Sequence, residues 1–246
     1  MTDATQDQPG TCFVIGASGG IGSALTAQLR AAGWGLVLAG RTRESLERLA
    51  APDDAPVEVL DAADFEALSA AIERHEDVTA VVNLAGSILL KPAHQTSAAD
   101  FEETVSQNLR TAFAAVRAAG RTMRTRGGSV VLVSSCAASV GLPNHEAIAA
   151  AKAGVEGLTR AAAATYATGN LRINAVAPGL VDTPLAGRLT GSPAALRAST
   201  SMHPLGRIGA PSDIARAIMF LLEPANDWLT GQVIGVDGGL ARIRGR

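Results

Sequence analysis

The residues best suited to chemistry begin with a glycine-rich loop near the start of the chain. Gly16, Gly20 and Gly22 follow a short apolar run and precede a helical pattern, in the sequence GASGGIG. Glycines at this spacing permit a tight turn and let backbone N–H groups approach an anion, and a helix N-terminus adds partial positive charge. The loop indicates a site for a pyrophosphate, although a strand–helix turn without a ligand fits the same residues.

Asn108, Ser135 and Lys152 are further polar candidates, each beside or within a predicted element. A serine after a strand commonly caps a turn, and an asparagine inside a helix commonly bonds to backbone, so each has a structural explanation of its own. Their coincidence favours a site. A serine hydrolase is disfavoured because the GxSxG motif is missing. No metal-ligand spacing connects the histidines, which are His75, His94, His145 and His203.

Composition restricts the classes of protein that carry these residues. The chain has 246 residues, of which 47% are hydrophobic, and its formal net charge is −2. This apolar content suffices for a sizeable core and excludes a disordered interaction protein. The charge balance argues against nucleic acid or an anionic membrane as a partner, and no apolar run approaches the roughly 20 residues of a membrane span. We expect a small-molecule substrate.

The N-terminal residues and the two cysteines indicate in which cellular compartment the protein works. Residues 1–10 are polar, which argues against a secretory signal, and we expect them to form a flexible tail. Cys12 and Cys136 cannot build a disulfide framework, and Cys136 fits a small buried filler better than a reactive thiol. The expected location is the cytoplasm.

Apolar runs rich in Val, Ile and Leu alternate with helical patterns. Strands are predicted over 11–16, 35–39, 57–60, 78–83, 129–134, 171–176 and 233–236, and helices over 20–32, 43–50, 64–75, 98–126, 146–167 and 211–222. The runs lack in/out alternation, so they predict strands buried on both faces of a parallel sheet. The predicted fold is α/β: a single-domain, Rossmann-like, doubly wound parallel sheet of about seven strands with helices on both faces.

Residues 179–209 interrupt the alternation with three prolines and several glycines. Long insertions in compact domains are functional lids or disordered segments. Because this one lies just before the last helix and strand, we expect residues 180–209 to form a lid over the substrate, and a surface loop is the competing interpretation. Ligands of such sheets bind outside the carboxyl ends of the strands.

Short motifs follow the predicted strands in a fixed order. They are GASGGIG at 16–22, DAAD at 61–64, NLAG at 83–86, Asn108, Ser135, Lys152, NAVAPG at 174–179, PLGR at 204–207 and VDGG at 236–239. With these motifs, the chain from Thr11 to Leu240 resembles the short-chain dehydrogenase/reductase family. The resemblance implies an oxidoreductase that uses a nicotinamide cofactor and a catalytic group of Asn, Ser, Tyr and Lys.

The resemblance also assigns the residues that bind the cofactor. Those near the pyrophosphate are Gly16, Ser18, Gly20, Ile21 and Gly22. Asp61 and Ala62 border the adenine, and the adenosine ribose is lined by Asn83, Ala85 and Gly86. Lys152 holds the nicotinamide ribose, and the carboxamide end is met by Pro178, Gly179, Val181 and Thr183.

The end of the second predicted strand bears on the choice of cofactor. An acidic residue at this point accepts hydrogen bonds from the adenosine ribose of NAD and repels the 2′-phosphate of NADP. This chain has Gly40 there, followed by Arg41. A guanidinium pairs well with a phosphate. The alternative is that Arg41 is a solvent-exposed residue at the start of a helix with no role in binding. We predict NADP(H).

The tyrosine of the family's catalytic group is missing. Its place, four residues before Lys152 and thirteen after Ser135, is occupied by Ile148. Tyr166, the single tyrosine of the chain, lies eighteen residues further along, roughly 27 Å at the rise of an α-helix. In the family the tyrosine donates a proton to the developing alkoxide, and such catalysis is worth about 10²–10⁴-fold. Ordinary interconversion of alcohols and ketones by that mechanism should be crippled.

Three interpretations follow from the loss of the tyrosine. The protein is a reductase whose substrate needs no acid at that position, such as an iminium ion or a polarised C=C bond. Alternatively His145 or Glu146, just before the helix, supplies the acid, although a solvated residue at a helix start fits His145 as well. In the third interpretation the protein is a catalytically silent NADP(H)-binding protein with a regulatory or structural purpose.

The helical pattern over 146–167 is unusually rich in alanine and glycine. A helix with so little side-chain volume approaches a neighbour closely, and members of the family pair their subunits through this helix. We expect a homo-oligomer, either a homotetramer or a dimer. Packing within one subunit is the competing explanation.

Overall fold

A parallel seven-stranded sheet forms the centre of the computed structural model, which describes residues 9–243. The strands are β1 (Thr11–Ile15), β2 (Gly35–Gly40), β3 (Val57–Val59), β4 (Val78–Asn83), β5 (Gly128–Val133), β6 (Leu171–Pro178) and β7 (Val233–Val236), in the order β3-β2-β1-β4-β5-β6-β7. Strand order reverses beside β1, which makes the edge where β1 and β4 end the place for a ligand. The predicted doubly wound sheet is confirmed.

Helices connect the strands and cover both faces of the sheet. They are α1 (Gly20–Ala31), α2 (Arg43–Ala50), α3 (Phe65–Glu73), α4 (Ala98–Val105), α5 (Thr111–Met123), α6 (Glu146–Tyr166), α7 (Gly187–Thr190), α8 (Pro193–Ser201) and α9 (Pro211–Leu222). Polar side chains fix several starting points. Asp64 accepts hydrogen bonds from two N–H groups of α3, and Ser97 forms a reciprocal capping box with Asp100 at the start of α4.

Two apolar layers, one on each side of the sheet, form the core. One layer packs α3, α5 and α6 against the sheet through residues such as Leu68, Ala115 and Val155. The other packs α1, α2 and α9 through residues such as Leu25 and Ile218. Strands that are covered on both faces need apolar side chains on both faces, which is why their sequences read as continuous runs rather than alternating patterns.

The helix predicted over 98–126 is not one uniform α-helix. A π-helical turn, Ser106–Arg110, lies between α4 and α5. Such a turn adds a residue to the helical repeat and is frequent at functional sites. Asn108 lies in the middle of this turn and is buried, so the irregularity sets the direction of a candidate site residue.

Residues 180–209 contain more regular structure than expected. The segment holds a 3₁₀ turn, Pro184–Ala186, followed by α7 and α8, and Ser192 caps α8 by accepting from the Ala195 N–H. A parallel bridge pairs Val181 with Gly209, so both ends of the segment are joined. We call residues 180–209 the lid segment.

Within residues 9–243, no helix has the length and apolar character needed to cross a bilayer. Of the predicted N-terminal tail, residues 1–8 lie outside the described part of the chain.

Candidate active site

The glycine loop, residues 16–22, joins β1 to α1 in a conformation that depends on glycine. Gly16 has a φ of +77°, and its N–H donates to the Ala39 carbonyl at 2.8 Å. A Cβ on Gly22 would lie 2.4 Å from the Gly16 carbonyl oxygen, so a side chain there would displace the loop. No side chain of the described residues caps α1, and its first turn has no acidic residue. The first N–H groups of α1 are therefore free to bind an anion.

A cleft of about 300 Å³ opens over this loop. Most of the residues predicted to bind the cofactor line it, namely Gly16, Ser18, Gly20, Ile21, Gly22, Arg41, Asp61, Ala62, Ala85, Gly86 and Thr183. They come from the ends of β1 and β2 and from the segments after β3, β4 and β6, as the topology requires for a ligand at the switch point. The shape, the glycine backbone and the free helix N-terminus fit a dinucleotide.

Gly40 and Arg41 lie at one side of this cleft. Arg41 is exposed and makes no ion pair with another described residue. A Cβ on Gly40 would lie 3.5 Å from Leu46 Cδ2, an ordinary van der Waals contact. The fold therefore has space for a carboxylate-bearing side chain at position 40, but the chain has glycine there and a cation, Arg41, at the next position.

Asn83 does not line the cleft, although it was predicted to bind the cofactor. It is buried at the end of β4, where its Oδ1 accepts from the Ala85 N–H at 3.2 Å. Its Nδ2 donates to Thr111 Oγ1 at 3.4 Å. Asn83 therefore fixes the loop that carries Ala85 and Gly86, and these two residues line the cleft.

A second cavity of about 150 Å³ continues from the cleft. Asn108, Ser135 and Lys152 line it together, as their positions in the motifs predict. Ile148 lines it too and is only 5% exposed. We call this space the catalytic cavity. Ile148 and the three polar residues therefore share one cavity, and the isoleucine lies at the position for which the resemblance implies a tyrosine.

Lys152 is buried, and its Nζ donates to the Val133 carbonyl at 2.8 Å. A Cβ placed on Gly86 would lie 3.6 Å from this Nζ and 3.0 Å from Asn108 Oδ1, so both groups border the loop after β4. Burial disfavours the ammonium and lowers the pKa of Lys152 to about 8.

Three hydrogen bonds hold the side-chain amide of Asn108. Its Nδ2 donates to the Thr104 carbonyl at 2.9 Å and to Ser87 Oγ at 3.1 Å, and its Oδ1 accepts from the Ser87 N–H at 3.3 Å. The bond to Thr104 spans one turn of the chain, where α4 gives way to the π-helical turn. Asn108 is a rigid part of the cavity wall.

Ser135 follows β5, and its Oγ accepts from the Ala137 N–H at 3.2 Å, which leaves the hydroxyl proton free. Its neighbour Ser134 was not predicted as a site residue. Ser134 Oγ lies 3.1 Å from both the Lys152 carbonyl oxygen and Glu156 Oε1 and shares its single proton between these two acceptors, which attaches the end of β5 to α6. Burial raises the pKa of Cys136 to about 11, so this thiol is unreactive at neutral pH.

His145 lies at the start of α6, where its Nδ1 bonds the Pro143 carbonyl at 2.8 Å. It is not among the residues that line the catalytic cavity. Tyr166 is at the opposite end of α6, and a Cβ on Gly120 would lie 2.5 Å from its hydroxyl. The structure therefore places the tyrosine away from Ile148, against α5.

The lid segment and the end of β6 cover the catalytic cavity. Predicted cofactor residues in this cover are Pro178, Gly179, Val181 and Thr183. His203, which the sequence did not single out, holds the cover in place. Its Nδ1 donates to the Ser199 carbonyl at 2.7 Å, and its Nε2 accepts from the Leu180 N–H at 3.1 Å. Because a carbonyl only accepts and an N–H only donates, these two bonds define a neutral ring.

Across residues 9–243, no three His, Cys, Asp or Glu side chains lie close enough together to hold a metal ion.

Comparison with known proteins agrees with this fold. Residues 16–241 match the family described as Enoyl-(Acyl carrier protein) reductase. Galactitol 2-dehydrogenase (L-tagatose-forming) of Cereibacter sphaeroides is 37% identical over 240 residues, which cover 94% of each chain. The structure of gluconate 5-dehydrogenase from Burkholderia cenocepacia in complex with NADP and tartrate matches with a TM-score of 0.91 and 28% identity, covering 96% of this chain and 97% of that one.

The structure of ElxO with NADP bound matches with a TM-score of 0.87 and 26% identity, covering 94% of this chain and 98% of that one. Fold, motif order and relatives lead to the same group of oxidoreductases. The chain belongs to the short-chain dehydrogenase/reductase family.

Proposed function

We propose that the protein is an NADP(H)-dependent oxidoreductase that reduces a C=O, C=N or C=C bond of a small molecule in a site without the family's tyrosine. One observation carries this proposal. Asn108, Ser135 and Lys152 converge on a cavity that continues from the glycine-loop cleft, and Ile148 completes its wall. A protein that only stored a dinucleotide would need this space for the nicotinamide, but it would not need Asn108 and Ser135 grouped beside Lys152.

The cofactor preference rests on the side of the cleft formed by Gly40 and Arg41. A bound NADP(H) supplies or accepts a hydride at its nicotinamide. The chain itself offers backbone N–H groups of the glycine loop for the pyrophosphate and the Arg41 guanidinium for the 2′-phosphate. That two structural neighbours were solved with NADP supports this assignment.

The substrate class follows from the lining of the catalytic cavity. The larger aliphatic side chains of this lining include Leu84, Ile88, Ile148, Leu180 and Leu185, and no carboxylate or guanidinium of the described residues lines it. Apolar side chains of this kind gain most when they bury an apolar part of a substrate. The related proteins named for galactitol and gluconate therefore differ from this one in the substrate that we propose, a small and largely apolar molecule.

The side chain of Ile148 narrows the choice among such substrates. An alkyl group gives no proton, so substrates that accept a hydride without simultaneous protonation lose nothing by its presence. An iminium ion already carries the positive charge that hydride transfer removes, and it is favoured on this ground. His145, the other acid that the sequence suggests, lies outside the cavity lining and would have to move to act.

Binding and turnover together test the proposed function. Calorimetry with NADPH and NADH measures the cofactor preference, and loss of NADPH absorbance is then followed with cyclic imines at mildly acidic pH, simple ketones and conjugated enones. The proposal predicts tight NADPH binding and turnover of at least one of these classes. Tight binding without turnover of any class would support the catalytically silent alternative.

The surface of α6 supports the proposed oligomer. Ala150, Ala153, Gly157, Ala161 and Ala164 recur at helical spacing and are exposed in the single chain. Gly154, by contrast, faces inward, since a Cβ there would lie 2.9 Å from Leu109 Cδ2. Packing within the subunit thus accounts for Gly154 but leaves the exposed stripe without a partner among the described residues. We place a subunit contact on this stripe, in a dimer or tetramer.

A cytoplasmic location is also part of this proposal. Its support is that Cys12 and Cys136 are free and buried, as expected where thiols stay reduced.

A further inference from the structure

The polarity of the catalytic cavity runs opposite to that of an ordinary protein surface. Two of its polar side chains lie deep, since Asn108 is 1% exposed and Lys152 is 7% exposed. Among the described residues that line the cavity, the exposed ones are both aliphatic, Ile88 at 40% and Leu185 at 56%. Polar side chains ordinarily lie outward and large apolar ones inward. This cavity therefore offers hydrogen bonds at its buried end and an aliphatic surface where it opens.

An exposed aliphatic side chain alone needs no explanation, because such residues are scattered over most protein surfaces. Leu196 and Leu205 are examples within the lid segment, and neither is part of the cavity lining. Ile88 and Leu185 differ from them because both border one concave space that ends at a polar group. Their exposure is thus a property of the site.

Ile88 is held by its attachment to the cavity wall. It follows Ser87 in the segment after β4, and Ser87 makes two hydrogen bonds with the buried side chain of Asn108. These bonds fix the segment that carries Ile88. Because β4 and β6 both pair with β5, the segments after these two strands leave the sheet on either side of the strand that precedes Ser135.

Leu185 comes from the segment after β6. It is the central residue of the 3₁₀ turn Pro184–Ala186. That turn packs on the glycine loop, since a Cβ on Gly20 would lie 3.3 Å from Pro184 Cδ. Leu185 lines the cleft as well as the cavity. An aliphatic surface that is fixed before a ligand arrives loses little conformational entropy on binding.

The volume of the catalytic cavity is too small to enclose a typical substrate. It is about 150 Å³, whereas pockets for small molecules usually have about 300–1,000 Å³. Part of that volume is also needed for the nicotinamide. A substrate whose reacting group reaches Asn108 and Ser135 therefore extends past the exposed side chains toward solvent. The part that lies against Ile88 and Leu185 gains from this contact only if it is apolar.

We propose that Ile88 and Leu185 form an apolar mouth that determines substrate specificity by binding an apolar arm of the substrate. The inference rests on the proposed function and narrows its substrate class. The substrate has its C=O, C=N or C=C bond at one end, in the cavity, and carries an apolar arm that reaches out of the cavity. A compact molecule without such an arm leaves the mouth uncovered and is a poor substrate.

A homologous series of substrates measures the contribution of the mouth. The 2-methyl, 2-propyl, 2-pentyl and 2-heptyl derivatives of 1-pyrroline are assayed with saturating NADPH at acidic pH as iminium ions, and 2-alkanones of matching length at neutral pH. The value of kcat/KM should rise about 2- to 4-fold for each methylene that becomes covered. It should level off once the arm has passed the two side chains, whereas nonspecific adsorption would increase with every methylene.

Variants at the mouth connect this dependence to the two side chains. Ile88→Ala and Leu185→Ala should each lower the ratio of kcat/KM between the longest and the shortest substrate by about 3- to 10-fold. The ratio is used because any effect on cofactor binding cancels in it. Ile88 lines the cavity and not the cleft, so its variant is the cleaner one. Leu196→Ala truncates an exposed leucine that borders neither space and should keep the wild-type ratio.

Inert analogues separate this inference from the proposed function. Linear primary amides carry a carbonyl group but accept no hydride, and calorimetry measures how tightly propanamide, pentanamide and octanamide bind the NADP⁺ complex. Affinity that rises with length in the wild type and less in Ile88→Ala, without turnover of any substrate class, would keep the apolar mouth as a ligand site and overturn the proposed function.

Two results would overturn the inference and leave the proposed function intact. One is turnover with a kcat/KM that does not depend on the length of the arm. The other is a dependence on length that is the same in the wild type, Ile88→Ala and Leu185→Ala, since the arm would then lie elsewhere. Amide affinity that is independent of length, in a protein that turns over none of the substrate classes, would overturn both.

Discussion

At the scale of single residues, the site separates two tasks that its family combines. The residues that we propose to hold a dinucleotide line the cleft and the cavity, from Gly16 in the loop to Lys152. The residue for donating a proton is replaced by Ile148, which is buried in the wall of the same cavity. Binding and proton transfer therefore respond to different substitutions in this protein.

Arg41 and Gly40 provide a prediction for binding. Arg41→Ala should weaken NADPH binding by about 1.5–3 kcal/mol, the value of a hydrogen bond to a charged group, and should leave NADH binding nearly unchanged. Gly40→Asp should reverse the preference, because its Cβ has space beside Leu46 and its carboxylate repels the 2′-phosphate. Calorimetry with both cofactors measures these changes.

A neighbouring arginine provides the control for this prediction. Arg43 is exposed and pairs with Glu47 at 3.4 Å, so Arg43→Ala should not alter the affinity for either cofactor. If the wild type binds NADPH and NADH with equal affinity, and Arg41→Ala leaves both affinities unchanged, then Arg41 does not bind the 2′-phosphate.

At the scale of elements, much of the site follows from the positions of residues at strand ends. Gly16, Asp61 and Ser135 each follow a strand of a parallel sheet, so one edge must hold all three, and the sequence alone predicts this edge. The π-helical turn that carries Asn108 was missed, since a shift in backbone hydrogen bonding leaves no distinctive residue type.

Two contacts of the site were missed for a different reason. His203 bonds Leu180 across 23 residues, and Ser134 bonds Glu156 across 22. Histidine and serine are common in loops and at strand ends, so neither type signals such a contact. Side-chain bonds between distant segments depend on how those segments pack, and no local pattern in the sequence records them.

The lid segment yields a prediction at this scale. His203→Ala removes the acceptor of the Leu180 N–H, and losing such a bond costs about 1–3 kcal/mol. Hydrogen exchange of the Leu180 amide should accelerate about 10- to 100-fold, because its local opening becomes easier. Mass spectrometry of peptides covering residues 180–186 measures this exchange.

His94 offers the matched control, because it is exposed on the 3₁₀ turn after β4. His94→Ala should leave the exchange of the lid segment unchanged. If His203→Ala also leaves it unchanged, the bond between His203 and Leu180 does not hold the lid, and other contacts of α8 would have to account for its position.

At the scale of the whole molecule, the exposed small-residue stripe of α6 predicts how copies associate. Gly157 has open space around it, because no atom beyond its chain neighbours and the adjacent backbone of α6 lies within 4 Å of a Cβ placed there. Gly157→Glu should therefore leave the fold of the single chain intact and disrupt the subunit contact by introducing charge and volume. Light scattering should show a multiple of the chain mass for the wild type and a smaller species for the variant.

Ala27→Glu is a suitable control, because Ala27 is exposed on α1, which packs on the other face of the sheet. This variant should keep the mass of the wild type. A monomeric mass for the wild type at micromolar concentration would contradict the proposed assembly, and a Gly157→Glu protein of unchanged mass would place the contact elsewhere.

The most direct test of the central claim is the NADPH-dependent reduction of simple ketones by Ile148→Tyr, compared with Ile148→Phe. Phenylalanine matches the volume of tyrosine without its hydroxyl, so the ratio of kcat/KM isolates the proton donor. If Asn108, Ser135 and Lys152 surround the place of a missing phenol, the tyrosine variant should exceed the phenylalanine variant by about 10²–10⁴-fold. Two variants that fold, bind NADPH equally and show the same rate would contradict the account.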